Sequence, residues 1–594
     1  MSRRRLLALV AVLTLATLGV GAYALRRSLR PEEVTVLETR ALASPQSLDD
    51  HCEDAIGPPR VERLGDRIFV ARGYDLANTI LVRTDEGAVV IDAGMSPARS
   101  RVSRDALLAA SPGPIAALVL THSHIDHVGG AAAWTEHAGE DLPIWATAEF
   151  VPHFYKQYGL FRRAEARRGA RQFGWHVGDD ALPCSALGRR VDLEATLEVG
   201  VRMPTHTFEG TATFAVGELT FVLEEAHGET HDQLFVWIPE LSALAAGDNY
   251  YRAFPNLYTI RGTSPRPVGD WIASLDRMRR LAPRLLLPSH TAPLEGRETI
   301  ATALTRYRDG IQWVRDQTVR AANAGEPRSA LAARIGLPEA LAGEPALAEL
   351  YGQVDWSAQA IFTNELGWFD GRPETLYPPA ADERARRLVA GLGGPEAVLR
   401  QAREADAAGD HRWALELHAL LRDREDGPGS DAEREARAAT LRALAEGVAN
   451  TNGRGYLLEV AYELEHGYAP LGRPRPSDSL VDAIPLPLLF ELLSSRLIPE
   501  RAAVHESVVF RFPNEEETPQ FVLTVRQGIA EVVVGAPLPG TPEPLATLTT
   551  DAATYRRIAL QLLGPGEALA EGRLEVDGDA LRLATFLERF DRSL

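Results

Sequence analysis

The sequence Thr121-His122-Ser123-His124-Ile125-Asp126-His127-Val128-Gly129-Gly130 places three histidines and an aspartate within six residues. The apolar run 115–120 directly before it predicts a buried strand, so these side chains lie on the loop at a strand end. Residues two apart on an extended segment point the same way, so His122 and His124 can hold one ion. Asp126 and His127 lie just beyond and can hold a second ion, because imidazole and carboxylate are zinc ligands. The sequence therefore predicts a loop that binds two metal ions.

Further ligand-type side chains follow other predicted strands. The run 88–92 predicts a strand, and Asp92 closes it. A helix is predicted over 97–110, with Ser96 as its N-cap and proline in its first turn. Strands that alternate with helices and short loops are typical of a layered α/β domain. Later in the chain, ligand-type side chains at or near the ends of predicted strands are Glu229, Asp248 and His290.

The length and charge of the chain limit the classes of function. With 594 residues the chain is long enough for roughly three to five domains. Its net charge of −19 argues against nucleic acid or an anionic membrane surface as the main partner. An anionic substrate therefore needs a local basic patch, and Arg261 and Arg266, which follow Asp248, can supply one. Arginine holds oxyanions through two parallel hydrogen bonds, which lysine does less well.

The N-terminus has the pattern of a targeting segment. Ser2-Arg3-Arg4-Arg5 precedes an apolar run over residues 6–25, and Ala22-Tyr23-Ala24 offers a cleavage site. Twin arginines are typical of a bacterial export signal for folded proteins, while an uncleaved apolar run of this length can tether the chain to a membrane. Both alternatives predict an exported protein, periplasmic or extracellular. Such a compartment would permit a disulfide between Cys52 and Cys184, although their separation in sequence leaves the pairing open.

The pattern His-x-His-x-Asp-His after a strand resembles the metallo-β-lactamase superfamily, whose fold is an αββα sandwich with a two-metal site. Asp92 matches the early strand-end aspartate of that superfamily. Most members continue with a Gly-His-Thr loop, whereas this chain has Gly228-Glu229-Thr230, which resembles the bacterial alkyl sulfatases of the dodecyl-sulfate-degrading type. The segment 255–262 with Arg266 resembles their sulfate-binding segment, and 366–373 resembles the marker at the start of their dimerisation domain.

The resemblance implies a site with two zinc ions per chain that hydrolyses alkyl sulfate esters to alcohol and sulfate by a metal-bound hydroxide. The substrate would be a small sulfate ester with an apolar chain, held by Asn256, Arg261 and Arg266. The family carries glutamate where this chain has Asp248, which is one methylene shorter. The implied metal ligands are His122, His124 and Glu229 for one ion, Asp126, His127 and His290 for the other, and Asp248 as a bridge.

Two departures from the family pattern leave the substrate and the proton transfer open. Trp356-Ser357 stands where the family usually has a His-Asn pair, whose histidine is a candidate general acid. His227 and His231 flank Glu229, and each could either replace the missing family histidine or have a structural role. The predicted catalytic residues are Asp126 and His231. The Arg-rich stretch 161–171 replaces a pocket segment and is either a solvated helix face or a lid over an anionic substrate. The alternative function is a di-zinc hydrolase of the same architecture acting on a phosphate, an aryl sulfate or a lactone.

The predicted fold class is α/β, with four segments. Residues 1–25 form the signal or anchor, and 58–335 form a metallo-β-lactamase-like catalytic domain of the αββα type. Residues 336–470 are helical, and the resemblance implies that they form a homodimer. Residues 479–594 alternate strands and helices like a sterol-carrier-like α+β domain, which has either an apolar pocket or a filled core.

Overall fold

The computed structural model describes residues 45–191, 198–424, 429–468 and 475–591. The predicted signal or anchor over residues 1–25 lies outside this range. Among the residues described, no helix is both long and apolar enough to cross a bilayer.

The first layer of the N-terminal sandwich domain is a seven-stranded sheet whose strands pair in their order along the chain. The pairs are antiparallel up to the fourth strand and parallel beyond it. The fourth strand, Gly87–Ile91, is buried at every residue, as its continuous small and apolar sequence predicts for a strand that is covered on both faces. In order, the strands are Arg60–Leu64, Ile68–Arg72, Thr79–Thr84, Gly87–Ile91, Ile115–Val119, Ile144–Thr147 and His206–Phe208.

A six-stranded second sheet packs against the first. Aliphatic side chains such as Val89 and Val119 of the first sheet and Leu223 and Val236 of the second form the core between them. One neighbouring pair is parallel and the others are antiparallel. In spatial order, the strands are Leu294–Glu295, Leu285–Pro288, Ala243–Gly247, Leu234–Ile238, Leu219–Glu225 and Thr211–Val216.

Helices cover the outer faces of both sheets, which completes the expected αββα sandwich. Pro97–Ala110 packs with Ala131–Ala138 outside the first sheet, and it begins as predicted because Ser96 Oγ accepts a hydrogen bond from the backbone N–H of Arg99. Val268–Leu281 and Arg297–Asn323 cover the second sheet. The other helices of this part are Pro45–His51, the π-helix Cys52–Ile56, Ile125–Val128, Phe150–Tyr158 and Arg162–Phe173.

A disulfide joins Cys52 and Cys184, so the two cysteines whose pairing the sequence left open do meet. They are 132 residues apart in sequence, so the cross-link closes a long loop and restricts the unfolded chain. His51 Nε2 lies 2.7 Å from the carbonyl oxygen of Ala186 on the same loop. The backbone N–H of Thr291, which follows the predicted ligand His290, donates to Leu187 O at 3.1 Å. The cross-linked loop therefore packs behind the predicted metal site.

The middle of the chain is helical, as predicted. Its helix Thr451–His466 packs on Arg162–Phe173 of the sandwich domain. Ser430 begins one of the predicted helices with a capping box to Glu433. The helices are Arg328–Arg334, Glu339–Ala342, Val354–Leu366, Pro373–Leu376, Ala381–Gly391, Pro395–Ala407, His411–Asp423, Asp431–Glu446 and Thr451–His466.

The C-terminal region is an α+β unit with a five-stranded sheet. The aromatic rings of Phe490, Phe512, Phe521 and Tyr555 pack against one another inside it, with Phe490 and Phe521 stacked at 4.1 Å between centroids. These buried rings favour the filled core over the apolar pocket. In spatial order the strands are Ile529–Val534, Gln520–Arg526, His505–Arg511, Pro544–Thr550 and Leu574–Gly578. The helices are Asp478–Asp482, Leu486–Ser494, Ala552–Ala559, Pro565–Ala570 and Ala580–Leu587.

Candidate metal centre

The seven predicted ligands converge at one edge of the sandwich. The ligand-bearing loops follow the strands Ile115–Val119, Leu219–Glu225, Ala243–Gly247 and Leu285–Pro288, and the last two run parallel, so that their carboxyl ends meet. The most exposed of the seven is Asp126, with 13% of its side chain accessible. The seven side chains are His122, His124, Asp126, His127, Glu229, Asp248 and His290.

Four of these side chains form what we call the second metal position: Asp126, His127, His290 and Asp248. His127 Nε2 lies 3.3 Å from Asp126 Oδ2 and 3.4 Å from Asp248 Oδ2. His290 Nε2 lies 3.4 Å and 3.1 Å from the same two oxygens. A tetrahedral zinc ion with bonds of about 2.0–2.1 Å separates its ligand atoms by about 3.3–3.4 Å. These four nitrogen–oxygen distances of 3.1–3.4 Å are close to the spacing that zinc requires.

The first metal position consists of His122 and His124 with Asp248 and Glu229, and its atoms are more widely spread. His122 Nε2 lies 2.9 Å from His124 Nδ1 and 3.8 Å from Asp248 Oδ2. Glu229 Oε1 lies 4.0 Å from His124 Nδ1. Asp248 thus contributes the same oxygen to the surroundings of both positions, as expected for a bridging carboxylate.

Asp92 orients the ligand His127. Its Oδ2 lies 2.8 Å from His127 Nδ1 and accepts from Ser289 Oγ at 2.6 Å, while Oδ1 accepts from the backbone N–H of Thr121. Because a carboxylate only accepts, Nδ1 carries the proton and Nε2 keeps its lone pair for a metal. The two glycines that end the loop are required by close packing, since a Cβ at Gly129 would overlap the carbonyl oxygen of Met95.

Burial and charge divide the histidines into two groups. Burial lowers the pKa of His122 to about 3 and that of His124 well below its usual value, which keeps both in the neutral form that binds metals. Burial acts in the same direction on His127, but Asp248, Asp126 and Asp92 outweigh it and raise the pKa of His127 well above its usual value. The carboxylates therefore concentrate negative charge at the second position, where a bound cation would offset it.

Of the predicted substrate-binding residues, Arg261 lies beside the first position, and Asn256 is connected to it through Tyr251, whose hydroxyl accepts from the backbone N–H of Asn256 at 2.8 Å and donates to Glu229. Arg261 Nη2 is 3.4 Å from His124 Nε2, and only 12% of the arginine side chain is exposed. Asn256 is 1% exposed, and neither polar atom of its side chain has a hydrogen-bond partner among the described residues. Leaving a buried polar group unpaired costs about 1–3 kcal/mol, so this amide is suited to a polar ligand.

The third, Arg266, has a different contact from the one that the sequence suggested. Its Nη1 lies 2.6 Å from Glu229 Oε1, and the two side chains are 1% and 4% exposed. Glu229 also accepts a long hydrogen bond of 3.4 Å from the hydroxyl of Tyr251. The predicted ligand Glu229 is therefore paired with a predicted sulfate-binding arginine.

The helix Arg162–Phe173, which carries most of the Arg-rich stretch, contains positioning residues that sequence reasoning missed. Gln172 Oε1 accepts from the backbone N–H of Arg261 at 2.8 Å and from Thr259 Oγ1 at 2.9 Å. Glu165 Oε1 lies 3.6 Å from Arg261 Nε. Arg168 donates to the carbonyl oxygen of Ile260 through two nitrogens, at 3.1 and 2.7 Å. The helix Arg162–Phe173 thus contacts the Arg261 segment through Glu165, Arg168 and Gln172, while its Arg163 and Arg167 are exposed. No local sequence pattern marks the acceptors Glu165 and Gln172.

The predicted catalytic residue His231 is half-buried in a group of histidines. Its ring centroid lies 5.9 Å from that of His153 and 6.2 Å from that of His227. Burial lowers the pKa of His231, and the neighbouring His153 and His227 act in the same direction. At the position of the family's His-Asn pair, Trp356 lies against Gly453 and Ser357 Oγ donates to Gln353 O at 2.6 Å, so both have structural contacts.

Three family models match successive parts of the chain. The metallo-beta-lactamase superfamily model matches residues 72–290. The alkyl sulfatase dimerisation model matches 328–467, and the alkyl sulfatase C-terminal model matches 475–593. These three matches follow the order of the sandwich, the helical region and the C-terminal unit.

Characterised relatives are similar over most of the chain. A linear primary-alkylsulfatase from a Pseudomonas species is 31% identical over 535 residues, which cover 86% of this chain and 98% of the relative. An (R)-specific secondary-alkylsulfatase from Pseudomonas is 29% identical over a region that covers 88% of this chain and 80% of the relative. The solved structure of a double mutant of the sec-alkyl sulfatase PisA1 superposes with a TM-score of 0.84 at 26% identity, covering 93% of this chain and 88% of the other. The resemblance and the fold class are thereby confirmed, and the chain belongs to the alkyl sulfatase family of the metallo-beta-lactamase superfamily.

Proposed function

We propose that the protein is a two-zinc enzyme that hydrolyses alkyl sulfate esters to alcohol and sulfate. The observation that carries the proposal is the guanidinium of Arg261 beside the cluster of histidines and carboxylates, and the unpaired, buried amide of Asn256 supports it. Zinc bound there would lower the pKa of water and so supply a nucleophile at neutral pH. The donor set and spacing of the second position support zinc as the metal.

The chain's own residues would bind the ester and handle the proton. Arg261 and Asn256 hold the sulfate group, because a guanidinium and an amide can both donate to its oxygens. Hydrolysis of one sulfate ester by water yields alcohol, sulfate dianion and one proton. Asp126, the most exposed of the carboxylates, orients the attacking water, and His231, two residues from the ligand Glu229, transfers the proton in place of the general-acid histidine that this chain lacks at Trp356.

A substrate comparison tests this function. The zinc-loaded protein should release sulfate from octyl sulfate, and removal of metal by a chelator should abolish the release until zinc is restored. Octyl phosphate, an aryl sulfate and a lactone serve as competing substrates in parallel assays. Faster hydrolysis of any of these, or no sulfate release with two zinc ions bound, would contradict the proposal and favour the alternative ester hydrolase.

We also propose that the protein is exported by a bacterial cell, as a soluble or a membrane-tethered protein. The disulfide between Cys52 and Cys184 supports this, because disulfides persist in oxidising compartments. In cell fractionation, the protein should be found outside the cytoplasm, and replacing Arg3 and Arg4 by lysine should retain it inside. Export that is insensitive to this double substitution would contradict a twin-arginine route.

A homodimer is the third proposal, supported by the match to an alkyl sulfatase dimerisation model over 328–467. Within that match, the segment 366–377 exposes several large apolar side chains, which is typical of a surface that another chain covers. We expect Trp368→Glu to dissociate the dimer in analytical ultracentrifugation, because it would place a charge in the interface. Ile529→Glu, on the C-terminal sheet and 59% exposed, is the control and should stay dimeric. The exposed fractions are 60% for Leu366, 64% for Trp368, 38% for Phe369, 44% for Leu376 and 88% for Tyr377.

A further inference from the structure

Arg266 and Glu229 form a buried ion pair at the edge of the first metal position. Their side chains are 1% and 4% exposed, with 2.6 Å between Nη1 and Oε1. None of the three guanidinium nitrogens makes a hydrogen bond to another described residue, so Glu229 is the partner that offsets the charge of Arg266. A buried guanidinium is costly without a counter-charge, so this contact holds Glu229 in place.

The same carboxylate oxygen faces two cations. Oε1 of Glu229 lies 2.6 Å from Arg266 and 4.0 Å from His124 Nδ1, the atom with which it would share a metal ion. Its other oxygen accepts from Tyr251 at 3.4 Å. A metal ion in the first position that binds Glu229 would draw negative charge from this oxygen and so weaken its pairing with Arg266.

The second position has no such competitor among the described residues. Asp126 and Asp248 contact the imidazoles of His127 and His290 at 3.1–3.4 Å, the spacing of a tetrahedral site. Two arginines, Arg261 and Arg266, lie beside His124 and Glu229 of the first position. Positive charges repel a dication, so both arginines weaken cation binding at the first position. Their effect on the second position is smaller.

We propose that Arg266 is a built-in competitor for Glu229 that makes the first metal position the weaker and the last to fill. When a metal takes Glu229, the guanidinium of Arg266 loses its counter-charge and becomes available to an oxyanion such as sulfate. Metal at the first position and sulfate at Arg266 then strengthen each other's binding, since coupling between two ligands is reciprocal. The inference rests on the proposed two-metal site and deepens it by giving the order of filling and its control.

Zinc titration of the metal-free protein by calorimetry tests the proposal without any turnover. The wild type should show two unequal sites, and Arg266→Gln should bind zinc at the weaker site about tenfold more tightly or better, as expected from loss of a charge-assisted contact. A merely structural role for Arg266 predicts the opposite, because loss of a buried side chain would loosen the site. Arg279→Gln, which removes an exposed arginine paired with Asp276, is the control and should match the wild type.

Inorganic sulfate provides the second measurement. Added at constant ionic strength against chloride, it should tighten the weaker zinc site of the wild type by a larger factor than that of Arg266→Gln. Two equal sites in the wild type, weaker zinc binding by a folded Arg266→Gln protein, or equal sulfate effects in both proteins would overturn the proposal. Because these readouts are zinc affinities, failure to hydrolyse an alkyl sulfate would refute the proposed function and leave this inference standing.

Discussion

Replacing Asp248 by asparagine should remove at least one of the two metal ions and reduce activity by more than about a hundredfold. Even partners behind a metal ligand change affinity by about 10- to 100-fold, so a ligand that serves both positions should cost more. One oxygen of Asp248 lies within 3.8 Å of ligand nitrogens from His122, His127 and His290. Asparagine keeps the shape of this side chain but removes the charge that those histidines and the metals share. Metal analysis after dialysis, together with sulfate release, measures both effects.

The matched control is Asp248→Glu, which keeps the carboxylate and adds one methylene. The family resemblance places glutamate at this position, so the longer side chain should still bind both ions. Activity should then return to a large part of the wild-type level, with a change in metal preference as the main difference. If Asp248→Asn retained two zinc ions and full activity, the assignment of Asp248 as a shared ligand would be wrong.

The metal cluster was predictable from the sequence because its ligands follow strands in recognisable local patterns. The spacing of His122, His124, Asp126 and His127 is fixed by one loop, and the structure places the four side chains together. Asp248 and His290 follow two strands that pair in parallel, which brings their ends to one edge. Local pattern and strand order therefore determined most of the site.

Contacts between distant segments could not be predicted in the same way. Arg266 and Glu229 are separated by 37 positions in the chain, and nothing in either local pattern shows that they pair. The disulfide between Cys52 and Cys184 depends on how the segment before the first strand packs on a distant loop of irregular structure. Gln172 lies in an arginine-rich helix, whose composition predicts a charged surface or a contact with an anion. In the structure its side chain accepts hydrogen bonds from Arg261 and Thr259.

The C-terminal unit shows a different limit. Alternating strands and helices predict an α+β unit, and the same pattern is compatible with a pocket or a filled core. Whether the unit has a pocket or a filled core depends on the volume of its inward-facing side chains. Here the stacked rings of Phe490, Phe521 and Tyr555 occupy the interior. Tyr155 of the catalytic domain donates to Leu480 O at 2.7 Å, so the unit also packs firmly on the sandwich.

Replacing Arg261 by methionine should lower kcat/KM for an alkyl sulfate by about a hundredfold or more while both metal ions stay bound. Hydrogen bonds to charged groups contribute about 1.5–3 kcal/mol, and a guanidinium can make two of them to one sulfate. Arg261 is held for this role by Gln172 and Thr259, with its Nη2 3.4 Å from His124 Nε2. Arg261→Lys should recover only part of the loss, because a single ammonium lacks the planar fork.

Arg168→Met is the matched control for Arg261, because it also removes one guanidinium from the same region. Arg168 is exposed and donates to the carbonyl oxygen of Ile260, on the segment that carries Arg261. If Arg261 binds the sulfate group directly, its loss should raise KM and weaken inhibition by inorganic sulfate, whereas loss of Arg168 should change both by only a few-fold. If instead the two variants were equally impaired, or if Arg261→Met lost zinc, Arg261 would stabilise the loop or the metal site and would not be the residue that selects the sulfate ester.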